Sequence, residues 1–233
     1  MRTAASEILA LPHGPATILW RRSARARRVN LRIDPRGGQV IVTLPLRAGR
    51  AAGMALLADH AAWVAAGLAA LPGAIRFADG ASVPLDGVPT PIRHVPAGRG
   101  GVWLEGGEIH VAGEATFLPR RVATFLRAEA RRRLARQAIA KAAAAGLQPR
   151  RITVKDTRSR WGSCGPDGTL MFCWRLVMAP PHVQDYVVAH EVAHLRHLNH
   201  GRQFWALVAT LTPHAEAAIA WLHEQGAGLL RIG

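Results

Sequence analysis

The run His190-Glu191-Val192-Ala193-His194 constrains this chain more than any other feature. Tyr186 to Ala189 before it, with Val192, Ala193 and Leu195, make a helix that is apolar on most sides. A helix buried to that extent does not carry His-Glu-His unless those polar groups have partners. Four helical residues turn through about 400°, so His190 and His194 share a face about 6 Å apart along the axis. Two imidazoles so placed can hold one Zn²⁺ at ~2.0–2.1 Å, and the intervening Glu191 can reach a water in an open coordination position.

A catalytic zinc site needs a third protein ligand. His197 lies on the same face, but the rise along the helix puts it about 10 Å from His190, so it reads as a supporting or exposed residue. His200 stands between Asn199 and Gly201, residues that tolerate left-handed backbone, so the chain can turn there and bring His200 back. The resulting H-E-x-x-H-x-x-x-x-x-H spacing matches that of metzincins, with the turn expected at Asn199. Glu216, on a following helix, is the alternative ligand; His200 is preferred. Glu191 then acts as general base, taking a proton from the water and passing it to the leaving amine. Tyr186, Arg158, Arg160 and Arg175 are candidates for transition-state or substrate contact.

The pattern along the chain predicts an α+β fold, with a β-rich region over 1–115 and a second domain over 116–233. Residues 29–33 and 40–44 read as a hairpin across Pro35-Arg36-Gly37-Gly38, and 48–71 as one helix ending at Leu71-Pro72-Gly73. Between 75 and 112, short apolar pairs cut by Asp79-Gly80, Asp86-Gly87, Gly100-Gly101 and Gly106-Gly107 read as a small β-meander. A long helix is expected over 119–145, a strand over 152–155, and a hairpin turning at Pro166-Asp167-Gly168 into a strand at 169–176. With Asp167-Gly168 central, Cys164 opposes Met171, Cys173 opposes Gly162, and the two thiols share a face as a reduced structural pair. Helices over about 182–198, 202–211 and 214–224 complete the chain.

The formal net charge is +15, and 28 of the 30 basic residues are Arg. Residues 1–150 carry +13 of this charge, whereas seven of the 11 His fall between His182 and His223. Charge and histidines thus belong to different parts of the chain. Arg21, Arg22, Arg25, Arg27 and Arg28 form one basic cluster, a candidate nucleic-acid contact. Arg120, Arg121, Arg127, Arg131, Arg132, Arg133 and Arg136 form another, but they do not fall on one side of their helix and read as a solvated face. Two Cys cannot make a disulfide framework, which fits a reducing cytoplasm. No uninterrupted apolar run reaches the ~18 residues of a membrane span, the best candidate being the alanine-rich 61–75, and Arg2 is followed by no signal-peptide pattern, so a cytoplasmic location is expected.

The segment Ser159-Arg160-Trp161-Gly162-Ser163-Cys164, the run Leu170-Met171-Phe172-Cys173-Trp174-Arg175-Leu176, the H-E-x-x-H and Asn199-His200-Gly201-x-x-Phe204-Trp205 together resemble the YgjP-like zinc metallopeptidase family, related to the WLM and SprT-like zincins. The resemblance is strongest over 151–206 and extends to the Arg21–Asp34 region and the helix near Trp63. It implies a zincin-like metallopeptidase domain with an active-site helix, His190, His194 and His200 as zinc ligands, and Glu191 as general base. Cys173 stands where Asn is expected, and Gly201 where Ser is expected. The expected function is zinc-dependent peptide or protein hydrolysis, with an extended substrate pairing to an edge of the 161–176 hairpin. The alternatives are a metal-dependent nucleotide phosphoanhydride hydrolase, or a DNA-associated protease recruited by the basic N-terminal part. Oligomeric state is left open.

Overall fold

A computed structural model of the chain describes residues 5–233; Arg2, part of the reading of the N-terminus, lies outside the described residues. The fold is mixed α and β, with three small sheets and six α-helices among those residues, in two compact units that divide at Gly73/Ala74.

In the first unit, β1 (Ala5–Leu11) and β2 (Gly14–Ser23) form one antiparallel hairpin, and β3 (Asn30–Asp34) and β4 (Gln39–Pro45) another. β2 and β4 pair in parallel, giving the order β1-β2-β4-β3. Ile18, Val40, Val42 and Leu44 alternate onto one face and are covered by Leu57 and Val64. The single helix expected over 48–71 is two, α1 (Arg50–Asp59) and α2 (Ala61–Ala69), bent by 70° at His60. The bend lets each half press a glycine onto the sheet: a Cβ on Gly53 would stand 2.5 Å from the Trp20 ring, and one on Gly67 would strike Ile33. No single helix among the described residues is long and apolar enough to cross a membrane.

The second unit repeats that strand plan. β5 (Ser82–Leu85) and β6 (Val88–Val95) form a hairpin, β7 (Val102–Glu105) and β8 (Glu108–Ala112) another, and β6 pairs in parallel with β8. The expected meander is therefore two hairpins joined through their inner strands. The unit also begins well before residue 116. Val83, Leu85, Ile92, Ile109 and Val111 share one core with a stripe on α3 (Leu118–Ala144) formed by Leu118, Val122, Leu126, Ala130, Leu134, Ala138 and Ala142. The change near Ala115 is a change of secondary structure within one core. α3 ends as its sequence suggests: Gly146, at φ +63°, lets the Leu147 N–H return to the Ala142 carbonyl, a Schellman cap.

β9 (Arg151–Lys155), β10 (Gly162–Cys164) and β11 (Thr169–Cys173) follow, in the order β10-β11-β9, with β10 at an edge. Gly165 and Thr169 close a three-residue loop with Gly168 at φ +76°, so the register is Gly162↔Phe172 and Cys164↔Leu170. This is one residue away from the expected pairing. Because side chains alternate, the slip puts Cys164 and Cys173 on opposite faces. β11 also stops at Cys173, and Trp174–Met178 is a buried 3-10 helix instead of continued strand. α4 (Pro181–Ala193), α5 (Arg202–Leu211) and α6 (Ala215–Leu229) complete the unit, and Ile232 forms a parallel bridge with Ile75.

Candidate metal centre

α4 starts at Pro181, where a missing N–H costs nothing and the fixed φ suits the first turn. Its first half is clamped by polar contacts. Gln184 Nε2 donates to Asp86 Oδ1 and to the Ala179 carbonyl, both at 2.8 Å, while Asp86 also pairs with Arg133 of α3. Lys141 of α3 reaches Asp185 at 2.7 Å and the Leu211 carbonyl at 2.6 Å. The helix face carrying His190 and His194 is thus fixed from below.

The helix ends earlier than expected. Leu195 and Arg196 bond back by three residues, to Val192 and Ala193, and Arg196 donates to the Ala145 carbonyl at 2.8 Å. The turn therefore begins at His194, five residues before Asn199. It carries the chain round so that His190, His194 and His200 present one ring nitrogen each, all within 4.8 Å of one another. His190 Nε2 and His200 Nε2 are 3.2 Å apart. Two nitrogens sharing a tetrahedral ion at ~2.0–2.1 Å would stand about 3.3 Å apart, so the spacing fits a common metal.

The other ring nitrogens of the helical pair are engaged. The His194 Nδ1–H donates to the His197 carbonyl at 3.0 Å, and His190 Nδ1 faces the Tyr186 hydroxyl at 3.4 Å. The carbonyl contact fixes the His194 tautomer that leaves Nε2 free to bind a metal, and the Tyr186 hydroxyl orients the His190 ring. Burial pushes the His190 pKa down to about 4, helped by His194 and His200, and burial also lowers that of His194. Neutral imidazole is the metal-binding form. Phe204, fully buried, lies beneath all three rings with centroids 4.5–4.9 Å away, and the half-exposed Trp205 flanks His190 and His200.

Glu191 is 6% exposed, and its Oε2 has no hydrogen-bond partner. Burial raises its pKa to about 7, against the opposing charge of Arg160. The β10 backbone lies directly on this side chain: a Cβ on Gly162 would stand 2.5 Å from Glu191 Cγ and Oε1. Gly162 has no positive φ, so glycine is required there for space.

The remaining candidates separate. Tyr186 is buried and turned to His190. Arg158 and Arg160 are exposed between β9 and β10, and only Arg160 acts electrostatically on Glu191. Arg175 is turned into the protein: it is fully buried, with Nε on the Ile232 carbonyl at 2.9 Å, Nη1 on Asp156 at 2.5 Å and its guanidinium 4.3 Å from the Trp174 ring centroid. Glu216 is not part of the metal-ligand cluster found among the described residues, and His197 contributes its carbonyl. The roles of Gly162 and Phe204 escape sequence reasoning, although both lie inside the motifs that carry the resemblance.

Cys164 and Cys173 are free thiols. Burial, then Glu191 and Asp167, push Cys164 up to about 11, so it remains a thiol at neutral pH. Alkylation of folded protein at pH 8 is expected to run roughly 100-fold slower than that of free cysteine, because so little thiolate is present. Time-resolved mass spectrometry with iodoacetamide measures this directly.

Compared with known proteins, the chain matches no curated protein and no solved structure. Residues 27–225 match the YgjP-like metallopeptidase domain, a span that takes in most of the first unit, Gly162 and all three clustered histidines. Extending over most of the chain, the match shows that this protein belongs to the YgjP-like metallopeptidase family.

Proposed function

We propose that the chain is a zinc-dependent peptidase in which His190, His194 and His200 hold the metal and Glu191 is the general base. The observation that supports this most is the placing of Glu191. It is a buried carboxylate with a free oxygen, next to a three-imidazole cluster and against a sheet edge that no strand covers among the described residues. Three imidazoles suit zinc better than the hard, oxygen-seeking cations, and an HExxH helix beside an edge strand is a zincin-like arrangement.

A zinc ion bound there supplies Lewis acidity, polarising the scissile carbonyl and acidifying the attacking water. Glu191 takes the water proton on its unpartnered Oε2 and delivers it to the leaving amine. Its burial next to the imidazole cluster keeps this proton exchange away from bulk water. The outer edge of β10 offers N–H and C=O groups to an extended substrate backbone and holds it alongside Glu191. Exposed Arg160, whose charge acts on Glu191, is a cation available to the substrate on that side.

Purified protein is expected to contain about one zinc per chain, and chelation is expected to abolish hydrolysis of an unfolded protein such as casein, with zinc restoring it. His200→Ala is expected to lose the metal and Glu216→Ala to keep it. Metal loss confined to the Glu216 variant would overturn the ligand set. A metal-dependent turnover of nucleoside triphosphates with none of peptides would replace the peptidase reading by the phosphoanhydride one.

A further inference from the structure

Four of the seven arginines in the α3 cluster are engaged within the fold, whereas Arg120, Arg131 and Arg136 are exposed. On α3, Arg132 and Arg133 bind Glu129, Arg133 also binds Asp86, Arg127 pairs with Asp156 at 3.6 Å, and Arg121 donates to the Ala112 carbonyl. These side chains serve the fold. Arg21, Arg22, Arg25, Arg27 and Arg28, on the end of β2 and the turn into β3, are all exposed, and none has a carboxylate partner among the described residues. Their one side-chain hydrogen bond there runs from Arg22 to the Leu46 carbonyl at 2.8 Å. Residues 1–73 contain ten Arg, no Lys and three acids. Glu7 is tied to Arg50 and Trp20 and Asp34 is buried, so Asp59 is the exposed carboxylate left to oppose this field.

Beside the cluster lies a cavity of about 510 Å³, lined by Arg28, Asn30 and Leu31 at the start of β3 and by Leu56, His60 and Trp63 at the α1–α2 bend. Trp63 is 51% exposed although the core of the same unit is well filled. The cavity has the size of a nucleotide-binding pocket. It offers an indole face for stacking, apolar side chains for a ring, and the amide and imidazole of Asn30 and His60 for a base edge. Its mouth carries Arg28, the last residue of the cationic run.

We propose that this concavity binds single-stranded nucleic acid, with one unstacked base against Trp63 and the adjoining phosphates on Arg21–Arg28. A repeating phosphate charge matches five arginines within eight residues, and a flat heterocycle matches a ring-sized site with an exposed indole. A duplex, whose bases are stacked inward, leaves Trp63 without a partner. This site shares no residue with the histidine cluster, so its test needs no hydrolysis and stands whether or not the peptidase reading does.

The test uses the full chain with fluorescein-labelled 15-mers of dT and rU, read by fluorescence anisotropy. Binding is expected at 50 mM NaCl and is expected to weaken by about 100-fold at 200 mM if five phosphates are neutralised. Trp63→Ala should weaken it about tenfold or more, while Trp63→Phe, which keeps a stacking face, should retain most of it. Joint replacement of Arg25, Arg27 and Arg28 by Ala should lower both affinity and salt dependence, whereas Arg120→Ala should change neither. Thermal melts of each variant report whether the fold is kept; Trp63, being half exposed, is a mild site to truncate. The proposal is overturned by absent binding at 50 mM NaCl or by a folded Trp63→Ala variant that binds as well as wild type. Equal binding of a 15-bp duplex, polyglutamate or phosphatidylserine vesicles would also overturn it, because each would mean that charge alone is being read.

Discussion

Glu191→Gln is expected to retain stoichiometric metal while peptide hydrolysis falls by about 10³-fold, within the range of ~10²–10⁴ for loss of a general base. The substitution keeps the size and shape of the side chain, so the contact with Gly162 and the course of α4 are preserved. The three imidazoles are untouched, and the metal site has no reason to empty. What is lost is the ability to accept a proton at Oε2, and a 10³-fold loss corresponds to about 4 kcal/mol of barrier. Metal analysis and kcat/KM on the same preparation decide the matter. Near wild-type turnover with metal bound would remove Glu191 from the reaction. Metal loss would instead make the carboxylate a structural partner of the imidazole cluster.

Gly162→Ala is expected to be nearly as damaging, by a different route. The added methyl would stand 2.5 Å from Glu191 Cγ and Oε1 and 2.7 Å from Cδ, all well inside van der Waals contact. Either the carboxylate swings away or β10 lifts from α4. A displacement of ~1 Å in a reacting group costs on the order of 10²-fold in rate. The stability change should be smaller: overpacking costs about 1–3 kcal/mol, partly offset because Ala suits a strand interior better than Gly by roughly 0.5–1 kcal/mol. The expected signature is thus a drop in kcat with metal retained and only a modest fall in Tm. A large loss of Tm with kcat unchanged in the surviving fraction would show that Gly162 serves packing alone.

The helical histidine pair and its glutamate are legible because their meaning lies in a fixed local period, and three residues of separation suffice to state it. His200 is legible through a spacing, but the manner of its arrival is not. The sequence Leu195-Arg196-His197-Leu198 could continue a helix, and a tertiary bond from Arg196 to Ala145, with a local one from His194 to the His197 carbonyl, accompanies its end instead. The hairpin register turns on whether Pro166-Asp167-Gly168 makes a two- or three-residue loop, and both are compatible with those residues. The break at His60 is hidden in an alanine-rich run whose propensity is helical throughout. What decides it is the fit of Gly53 and Gly67 against the sheet. Arg175 looks like a candidate for catalysis in a motif rich in such residues, yet its partners Asp156 and Ile232 are remote in sequence and no local pattern announces them.

The burial of Arg175 also bears on the order in which the chain can fold. A guanidinium enclosed without partners is costly, and one of its acceptors is the carbonyl of Ile232, the residue that bridges to Ile75 at the opposite end of the unit. During synthesis the hairpins and α3 can form as they emerge, because their contacts are local. The segment around Trp174–Met178 closes over Arg175 with one acceptor missing until Ile232 has left the ribosome, although Asp156 is already there to pair with it. Final consolidation of the unit therefore waits on a contact spanning nearly its whole length, the kind of closure that slows folding. Until then the unit that carries the histidine-bearing helix lacks the Arg175–Ile232 contact that completes its packing.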